Sequence, residues 1–455
     1  MAAVNGWLGT LVILLIISAS KAQEGYFWHI TDHHYDTTYW SEMRSCNDEV
    51  PVRGIYGDYW CDSPWRLVND SINAMASIKS NVDFIIWTGD TVAHIKDQYL
   101  NESVNLEIMK VVTDALKAAF PGVKVYATMG NHDWYPSDQF PVTSHFLYNA
   151  TAELWEDWIG DAEQMANFRK GAYYTAKTAQ GLRIIGLNTN LYYTSDKLTT
   201  DLTDPAGQFA WLEEVLKNAK VAGEKVRCCY PLTFLPAFTF LEMFNGWLSI
   251  STPASSTYSN NIPTSSPPCS SGTTTLTDSN YYKNGSTPGT PMFMAPSITP
   301  WRYKIPGKSG DAHNPAIRLV KYNKGSGLLL DIHQYYMDLT DSNKNNASNW
   351  TIAYKTSEAF GLSDLSADSL NGVIKKMETD KTLLDKYIKY NTVLANGEKT
   401  VNECGEKCRA IFTCGFTHMD KTSFDSCVDF RVGAATMLRS TTTFFIALAT
   451  LYILM

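Results

Sequence analysis

Three short polar clusters in this 455-residue chain bring carboxylate, imidazole and amide side chains together, and each directly follows an apolar run. They read TDHH at 31–34, TGDTVAH at 88–94 and MGNHD at 129–133. Carboxylate, imidazole and amide groups are suitable ligands for Zn²⁺ or Mn²⁺. One such cluster alone is more often a cap or a turn, but three in order predict a metal site.

The apolar runs before the clusters have the pattern of strands, with helical patterns between them. The strands are predicted at Tyr26–Ile30, Phe84–Trp87, Val123–Thr128 and Leu182–Leu187, and the helices at Trp65–Lys79 and Asn105–Ala119. This alternation indicates an α/β architecture, in which sites lie at the carboxyl ends of strands. On an extended chain, Asp32 and His34 face the same side, whereas His33 faces the other and is expected to be structural.

The three clusters resemble the D-x-H, G-D-x-x-x-H and G-N-H-D motifs of the calcineurin-like metallophosphoesterases. Within that superfamily, the blocks ITDHHYD, WTGDTVAH and TMGNHD are similar to those of the acid sphingomyelinase-like phosphodiesterases. MFMAPSITPW, NPAIR and four cysteines near the C-terminus support the narrower resemblance, which covers residues 24–226 and 280–430. It implies a metallophosphoesterase-type β-sandwich flanked by helices, with a small disulfide-linked helical C-terminal subdomain.

The resemblance also implies a set of metal ligands. Asp32 and His34 would bind one zinc ion, Asp90 would bridge two ions, and Asn131 would bind the second. Two metal ions can activate a water molecule near neutral pH and stabilise an in-line displacement at phosphorus. This chemistry suits the cleavage of a phosphodiester.

Two further histidines take roles from the same resemblance. His132 would protonate the departing oxygen, and His94 would assist it or bind the phosphate. Histidine suits proton transfer because its ordinary pKa lies near neutrality.

Two motifs of the family are missing from this sequence. The family takes three more histidine ligands from a G-H-x-P-P turn and a later G-H-x-H-T-D motif. Residues 227–277, which are rich in Ser, Thr and Pro, stand in their place. We therefore expect the chain as written to bind fewer than two zinc ions and to show little turnover.

A shift of reading frame would explain this segment. The segment CCYPLTFLPAF at 228–238 can be encoded by codons that, when the reading frame starts at the third base of each codon, encode LLSPHIPPGF instead. The same shift turns PCSSGTTTLT at 268–277 into LFFGHHHTD. In the shifted frame, the missing histidines would be encoded at the positions of Thr233, Thr273 and Thr275. We hypothesise a frameshift near Arg227 that is reversed near Asn280, which sequencing of the transcript would test.

Both ends of the chain carry targeting patterns. The apolar run Trp7–Ile17 and the small residues after it predict a signal peptide over residues 1–22. Small residues, a short spacer and the apolar run Phe444–Met455 predict a GPI-attachment signal over residues 431–455. We therefore expect a secreted or cell-surface protein that meets a membrane only through a lipid anchor.

Sequons and cysteines agree with an extracellular location. Six N-x-S/T sequons are candidate glycosylation sites: Asn69, Asn101, Asn149, Asn284, Asn346 and Asn349. Six cysteines form an even set that predicts three disulfides in an oxidising compartment: Cys46, Cys61, Cys404, Cys408, Cys414 and Cys427. We place a catalytic domain at 23–355 and a helical C-terminal subdomain at 356–430.

Composition excludes several classes of protein. The formal charge of −8, from 38 basic and 46 acidic residues, argues against a nucleic-acid polymer as partner.

The leading hypothesis is a secreted or surface zinc-dependent phosphodiesterase that acts on a small phosphodiester, a nucleotide phosphate or a lipid head group of the sphingomyelin type. The alternative is an inactive surface glycoprotein that keeps the fold for binding.

Overall fold

The computed structural model describes residues 24–42, 44–46, 53–229, 283–284, 287–288, 291, 293–305, 308–396, 398–418 and 422–433. The strands are β1 (Glu24–Ile30), β2 (Phe84–Trp87), β3 (Val125–Ala127), β4 (Tyr174–Lys177), β5 (Leu182–Gly186), β6 (Lys225–Cys229), β7 (Lys283–Asn284), β8 (Thr287–Pro288), β9 (Trp301–Ile305), β10 (Lys308–His313), β11 (Ala316–Asn323), β12 (Leu329–Met337) and β13 (Trp350–Lys355). The helices are α1 (Trp65–Lys79), α2 (Glu102–Ala119), α3 (Phe146–Leu154), α4 (Glu156–Ile159), α5 (Ala162–Gly171), α6 (Gln208–Val221), α7 (Leu339–Asn345), α8 (Thr356–Phe360), α9 (Ala367–Met377), α10 (Lys381–Asn391), α11 (Glu398–Glu403), α12 (Glu406–Gly415) and α13 (422–433).

Several predicted elements fall outside this description. They are the signal peptide, residues 434–455 of the attachment signal, and residues 230–277 of the anomalous segment with the three threonines discussed above. Residues 227–229 of that segment form the end of β6. Within the described residues, no helix is both long and apolar enough to cross a membrane.

The predicted strands and helices of the first half are confirmed. β2 and α1 have the predicted bounds. α2 begins three residues earlier than predicted, at Glu102, because Asn101 caps it by accepting a hydrogen bond from the backbone N–H of Val104. β1 begins two residues earlier, at Glu24, whereas β3 covers only Val125–Ala127.

The larger sheet has six strands in the order β13-β12-β11-β1-β2-β3. β1, β2 and β3 are parallel, because α1 and α2 carry the chain back to the starting end of the sheet. β11, β12 and β13 continue the sheet in antiparallel pairs. The carboxyl ends of β1, β2 and β3 therefore meet at one edge, and the three polar clusters follow them there.

A second sheet, in the order β4-β5-β6, packs against the first. The Tyr174 hydroxyl on β4 donates a hydrogen bond to the Ala127 carbonyl on β3, at 3.0 Å. Trp87 and Ile184 contribute to one buried apolar core from the two sheets. The two sheets with their flanking helices confirm the predicted α/β sandwich.

The C-terminal region is helical and disulfide-linked, as predicted. In its core, the ring of Tyr387 packs edge-on against Phe412 and Phe416. The six predicted cysteines pair as Cys46–Cys61, Cys404–Cys408 and Cys414–Cys427. The remaining described cysteines, Cys228 and Cys229, are free thiols on β6.

Candidate functional site

The sheet's hydrogen-bond ladder continues into the loops after β1 and β2 and brings the first two clusters together. The backbone N–H of Asp32 donates to the Gly89 carbonyl at 3.0 Å, and that of His34 donates to the Asp90 carbonyl at 3.1 Å. Beyond the loop, the N–H of Tyr35 donates to Thr91 at 2.7 Å. The two loops therefore lie side by side as an extension of the parallel strands.

Three of the polar side chains sit on strained backbone. Asp32, His34 and Asp90 have positive φ angles of 53°, 38° and 52°. Such a conformation costs on the order of 1–3 kcal/mol per non-glycine residue, and residues of this kind cluster at functional sites. It turns these side chains out of the strand alternation and towards one another.

Two glycines permit the close approach of the second and third clusters. A Cβ atom on Gly89 would lie 2.2 Å from the backbone nitrogen of Gly130. A Cβ atom on Gly130 would lie 2.1 Å from Oδ1 of Asp90. Any side chain at either position would therefore separate the loops.

The first candidate metal group consists of Asp32, His34 and Asp90, whose possible ligand atoms all lie within 4.8 Å of one another. Nδ1 of His34 contacts the Val92 carbonyl at 2.8 Å, so this nitrogen carries the proton and Nε2 is left as a ligand atom. Two carboxylates and one oriented imidazole form a donor set that fits a divalent metal ion.

The electrostatics of this group favour a cation. Burial lowers the pKa of His34, but the surrounding carboxylates outweigh burial and raise it to about 10. Burial raises the pKa of Asp90 above its usual range, and the charge of Asp32 adds to that rise. In the metal-free protein, a proton on His34 would offset part of this negative charge. A divalent ion would offset it directly.

Asn131 and His132 follow β3 at the same edge. The Asn131 amide nitrogen donates to Asp138 at 2.9 Å, which leaves the amide oxygen as its ligand atom. The backbone N–H of His132 donates to Oδ1 of Asp90 at 3.0 Å. The predicted fourth ligand therefore lies on the loop that contacts the predicted bridging carboxylate.

Three histidine rings gather beside the metal group. The His94 ring stacks on that of His34, with 4.1 Å between centroids, and meets His132 edge-on at 4.3 Å. Burial and the neighbouring rings lower the pKa of His132 well below its ordinary value. We call Asp32, His34, Asp90 and Asn131, with His94 and His132, the strand-end site. The structure thus brings all six residues to one edge of the sheet.

His33 points away from the strand-end site, as predicted. Its side chain is fully buried, and its ring contacts Trp87 edge-on at 5.5 Å. Burial lowers its pKa to about 3, so the ring is neutral. These contacts fit the structural role expected from the sequence.

Asp133 has a supporting role that the sequence analysis did not assign. Its buried carboxylate accepts hydrogen bonds from the backbone N–H groups of Thr91 at 2.7 Å, Gly130 at 2.8 Å, Asp90 at 3.1 Å and Val92 at 3.3 Å. It therefore ties the loops after β2 and β3 together. Its position as the last residue of the G-N-H-D motif is the one sequence feature that could have indicated this role.

A distant segment also supports the site. The Thr299 hydroxyl donates to the His33 carbonyl at 2.7 Å, and its N–H donates to the Asp32 carbonyl at 3.0 Å. Trp301, two residues further on, packs against the His94 ring with 4.8 Å between centroids. The MFMAPSITPW block noted in the sequence thus supports the loop that carries Asp32 and His34, as well as the His94 ring.

Asp62 is the second residue that sequence reasoning missed. It is fully buried and contacts His94, and with His34 and His94 it forms a second group of possible ligand atoms within 4.8 Å. Burial raises the pKa of Asp62, but the neighbouring imidazoles outweigh burial and lower it overall. It stands outside all three motifs, so spacing gave no signal for it.

The candidate glycosylation sites differ in exposure. Asn101, Asn346 and Asn349 are exposed, whereas Asn69 and Asn149 are partly buried. Asn284 lies on β7, where side chains are outside the described part of the chain. The Asn101 oxygen caps α2, which leaves its amide nitrogen available for a glycan.

Two sequence families match successive parts of the chain. Residues 25–246 match the calcineurin-like phosphoesterases, and residues 287–433 match the acid sphingomyelin phosphodiesterase C-terminal region. Neither match includes residues 247–286, most of which belong to the anomalous segment. The first match contains the whole strand-end site.

Curated relatives match over most of their length. Human acid sphingomyelinase-like phosphodiesterase 3b is 36% identical over 434 residues, which cover 92% of this chain and 94% of that protein. The cyclic GMP-AMP phosphodiesterase SMPDL3A of Mus musculus is 32% identical over 430 residues, 89% and 92% of the two chains. The sphingomyelinase phosphodiesterase C of Dictyostelium discoideum is 33% identical over 442 residues, 92% and 96%.

Proposed function

Because this chain belongs to the acid sphingomyelinase-like phosphodiesterases of the calcineurin-like phosphoesterase family, we propose that it hydrolyses small phosphodiesters or nucleotide phosphates at the strand-end site. The observation that carries the proposal is the gathering of Asp32, His34 and Asp90 within 4.8 Å. Relatives named for sphingomyelin and for cyclic GMP-AMP give the two substrate classes to compare.

The metal in this proposal is zinc. Asp32, His34 and Asp90 would bind the first ion, and Asp90 with Asn131 would contribute to a second. When bound, the ions supply an activated water molecule and neutralise charge on the phosphate. His34 suits this role because its Nδ1 contact with Val92 orients Nε2 as the ligand atom.

The protein's own histidines would handle the proton and the phosphate. His132 would donate a proton to the departing oxygen. Its pKa is lowered in the free protein, but the negative charge of a bound phosphate favours the protonated ring. His94, whose ring stacks on His34 and also contacts Trp301, would contact a phosphate oxygen.

The location belongs to the proposal as well. A signal peptide over 1–22 and a lipid anchor in place of 431–455 would put the enzyme outside the cell or on its surface. The three disulfides suit an oxidising compartment. Asn101, Asn346 and Asn349 are exposed, so these residues would be accessible for the attachment of glycans.

The experiment compares the purified chain with Asp90→Asn and with Asp114→Asn as a matched control. Asp114 is an exposed partner of Lys110 on α2, away from the site. With zinc present, bis(p-nitrophenyl) phosphate, a cyclic dinucleotide and sphingomyelin vesicles serve as substrates. We expect the rate of Asp90→Asn to fall more than about 100-fold. This loss exceeds the one typical of changing a residue that only hydrogen-bonds to a metal ligand. Equal rates for all three proteins would overturn the proposal.

A second candidate is an inactive surface glycoprotein, favoured by the missing G-H-x-P-P and G-H-x-H-T-D motifs. Metal content distinguishes the two functions, because an intact two-metal site would hold about two zinc ions per chain. Sequencing the transcript across the codons for Val226–Tyr281 decides the cause. The shifted frame would restore three histidines and favour the enzyme, whereas the printed frame would favour the inactive protein.

A further inference from the structure

Strand β13 forms one edge of the six-stranded sheet. It pairs in antiparallel register with β12, and no further strand adjoins it among the described residues. The backbone groups of an edge strand that face away from the sheet can pair with a strand of another chain. Such pairing leads to self-association unless the protein blocks it.

The opposite edge of this sheet is closed. β3 has three residues, all of them buried. The Ala127 carbonyl at the end of β3 accepts the hydrogen bond from the Tyr174 hydroxyl of the second sheet. β13 has six residues and is the longer of the two edges. We call the side of β13 that faces away from β12 the open edge.

The second half of β13 carries two features that oppose pairing with another chain. Ile352 and Tyr354 face consecutive residues of β12, which leaves Ala353 as an extra residue in β13. Such a bulge twists an edge strand away from a regular ladder. Lys355 ends the strand with a charged side chain, which is a second obstacle to edge pairing.

The first half of β13 has neither feature. Trp350–Ile352 pairs regularly with β12, and the side chains of Thr351 and Ile352 are exposed. Ile352 has 44% of its surface exposed although it is apolar. A regular stretch with an exposed apolar side chain is the part of the strand that a second copy of the chain would pair with.

A glycosylation sequon lies at this half of the strand and consists of Asn349, Trp350 and Thr351. The Ser348 hydroxyl and the Trp350 indole N–H donate to the Asp70 carboxylate of α1, at 2.9 and 2.8 Å. Both neighbours of Asn349 are thus fixed to one side chain, whereas Asn349 itself is exposed. A glycan on Asn349 would therefore stay next to the first half of the open edge.

We propose that an N-linked glycan on Asn349 covers the first half of the open edge and prevents two copies of the chain from pairing through β13. A lipid-linked oligosaccharide supplies the glycan. Its first sugar carbon bonds to Nδ2 of Asn349, which gives up a proton, and the lipid pyrophosphate leaves. The inference rests on the proposed function for the location of the protein outside the cell.

The test uses the full chain secreted from cultured animal cells, with Asn349→Gln as the variant that loses the glycan. Ser103→Ala is the matched control, because it removes the sequon of Asn101 while the Asn101 oxygen still caps α2. Mass spectrometry of peptides measures glycan occupancy, and we expect Asn349 of the parent to be occupied. An empty Asn349 in a parent that carries glycans elsewhere overturns this inference alone. A parent without any N-glycan overturns the proposed location as well.

Sedimentation velocity measures self-association. We expect Asn349→Gln to associate at a protein concentration on the order of tenfold below that of the parent, because cross-strand pairs would add to its affinity. Ser103→Ala should sediment as the parent does. Similar urea unfolding curves for the dilute proteins would show that Asn349→Gln keeps its fold. Equal association of the parent and Asn349→Gln would overturn the inference.

A charge on the open edge should replace the glycan. Ile352→Lys, added to Asn349→Gln, should restore the association state of the parent, since lysine opposes edge pairing. Val221→Lys adds the same charge at the end of α6, at a side chain that is 91% exposed, and should restore nothing. Restoration by Val221→Lys would contradict a specific role of the open edge.

Hydrogen exchange locates the contact between copies. We expect the backbone amides of Trp350–Ile352 to exchange more slowly when Asn349→Gln associates, because edge pairing would give them partners in the second copy. Association of Asn349→Gln without slower exchange in these residues would overturn the inference.

Discussion

The strand-end site and the C-terminal helices satisfy their polar groups in opposite ways. At the site, Asp32, His34 and Asp90 have positive φ, and buried carboxylates lie beside stacked imidazole rings. In the helical region, Ser366 caps α9 and Asp380 caps α10 through ordinary side-chain acceptors. The caps of α9 and α10 come from within the helical region, whereas the site has a surplus of negative charge.

This difference shows what each region requires from the rest of the chain. The strained loops hold their shape because backbone ladders, Asp133 and Thr299 fix them from three directions. A bound cation would relieve their charge. The helices rely on local caps, ring packing and disulfides. Changes at the site should therefore alter metal binding, and changes in the helices should alter stability alone.

Asp133→Asn should have the largest effect, because it affects the support of the site itself. The amide would face backbone N–H donors and leave several of them without an acceptor. We expect the free energy of unfolding to fall by about 3 kcal/mol and zinc affinity to fall with it. Urea unfolding and zinc titration measure the two effects, with exposed Asp157→Asn as control. A stability loss with unchanged zinc affinity would contradict the link between Asp133 and the site.

Removal of a C-terminal disulfide tests the other region. Replacing Cys414 and Cys427 by serine opens a link between residues 13 apart. The chain-entropy account gives a loss of about 3 kcal/mol. Zinc affinity should stay the same within about twofold. A matching loss of zinc binding would show that the two regions are not separate.

Acid should weaken the junction between the regions. His313 ends β10, next to Ala312, whose carbonyl accepts from Asn396 of the helical region. Burial lowers the pKa of His313 to about 4, so the unfolded chain takes up its proton first as pH falls below about 6.5. Stability should therefore be full above pH 7 and drop by about 2 kcal/mol at pH 5 from this residue.

The variant His313→Gln isolates that contribution, since His29 and His33 act in the same direction. Urea unfolding of both proteins between pH 5 and 7.5 should show a weaker pH dependence for His313→Gln. If the free energies of unfolding of the two proteins change in parallel with pH, His313 does not contribute to the loss of stability in acid.

The smallest effect is expected at a helix cap. The Asp380 side chain accepts from the N–H groups of Thr382 and Leu383 at the start of α10. Asp380→Ala should cost about 1 kcal/mol. Exposed Lys381→Ala is the neighbouring control and should change stability little. A loss of zinc binding in Asp380→Ala would contradict the local nature of the cap.

Much of the fold could be predicted because its signals are local. The run Phe84–Trp87 is apolar throughout and fully buried, so both its type and its bounds were readable. The three polar clusters follow parallel strands, and the sheet places all three at one edge. The pattern Asp32-x-His34 predicted a shared direction from strand alternation, with His33 facing away; the structure keeps that grouping, but positive φ angles at Asp32 and His34 produce it rather than an extended chain.

The supports of the site could not be predicted, because they depend on contacts between distant residues. The Thr299 hydroxyl meets the His33 carbonyl across 266 positions of sequence, and Asp62 meets His94 across 32. Asp62 is one of 46 acidic residues, with no spacing that marks it. The positive φ of Asp90 depends on the packing of three loops, which no single segment encodes.

A crystal structure of the chain grown with zinc, with anomalous diffraction collected at the zinc edge, tests metal binding at the strand-end site most directly. We expect an anomalous peak about 2.0–2.2 Å from carboxylate oxygens of Asp32 and Asp90 and from Nε2 of His34. A folded strand-end site that shows no peak at saturating zinc would contradict it.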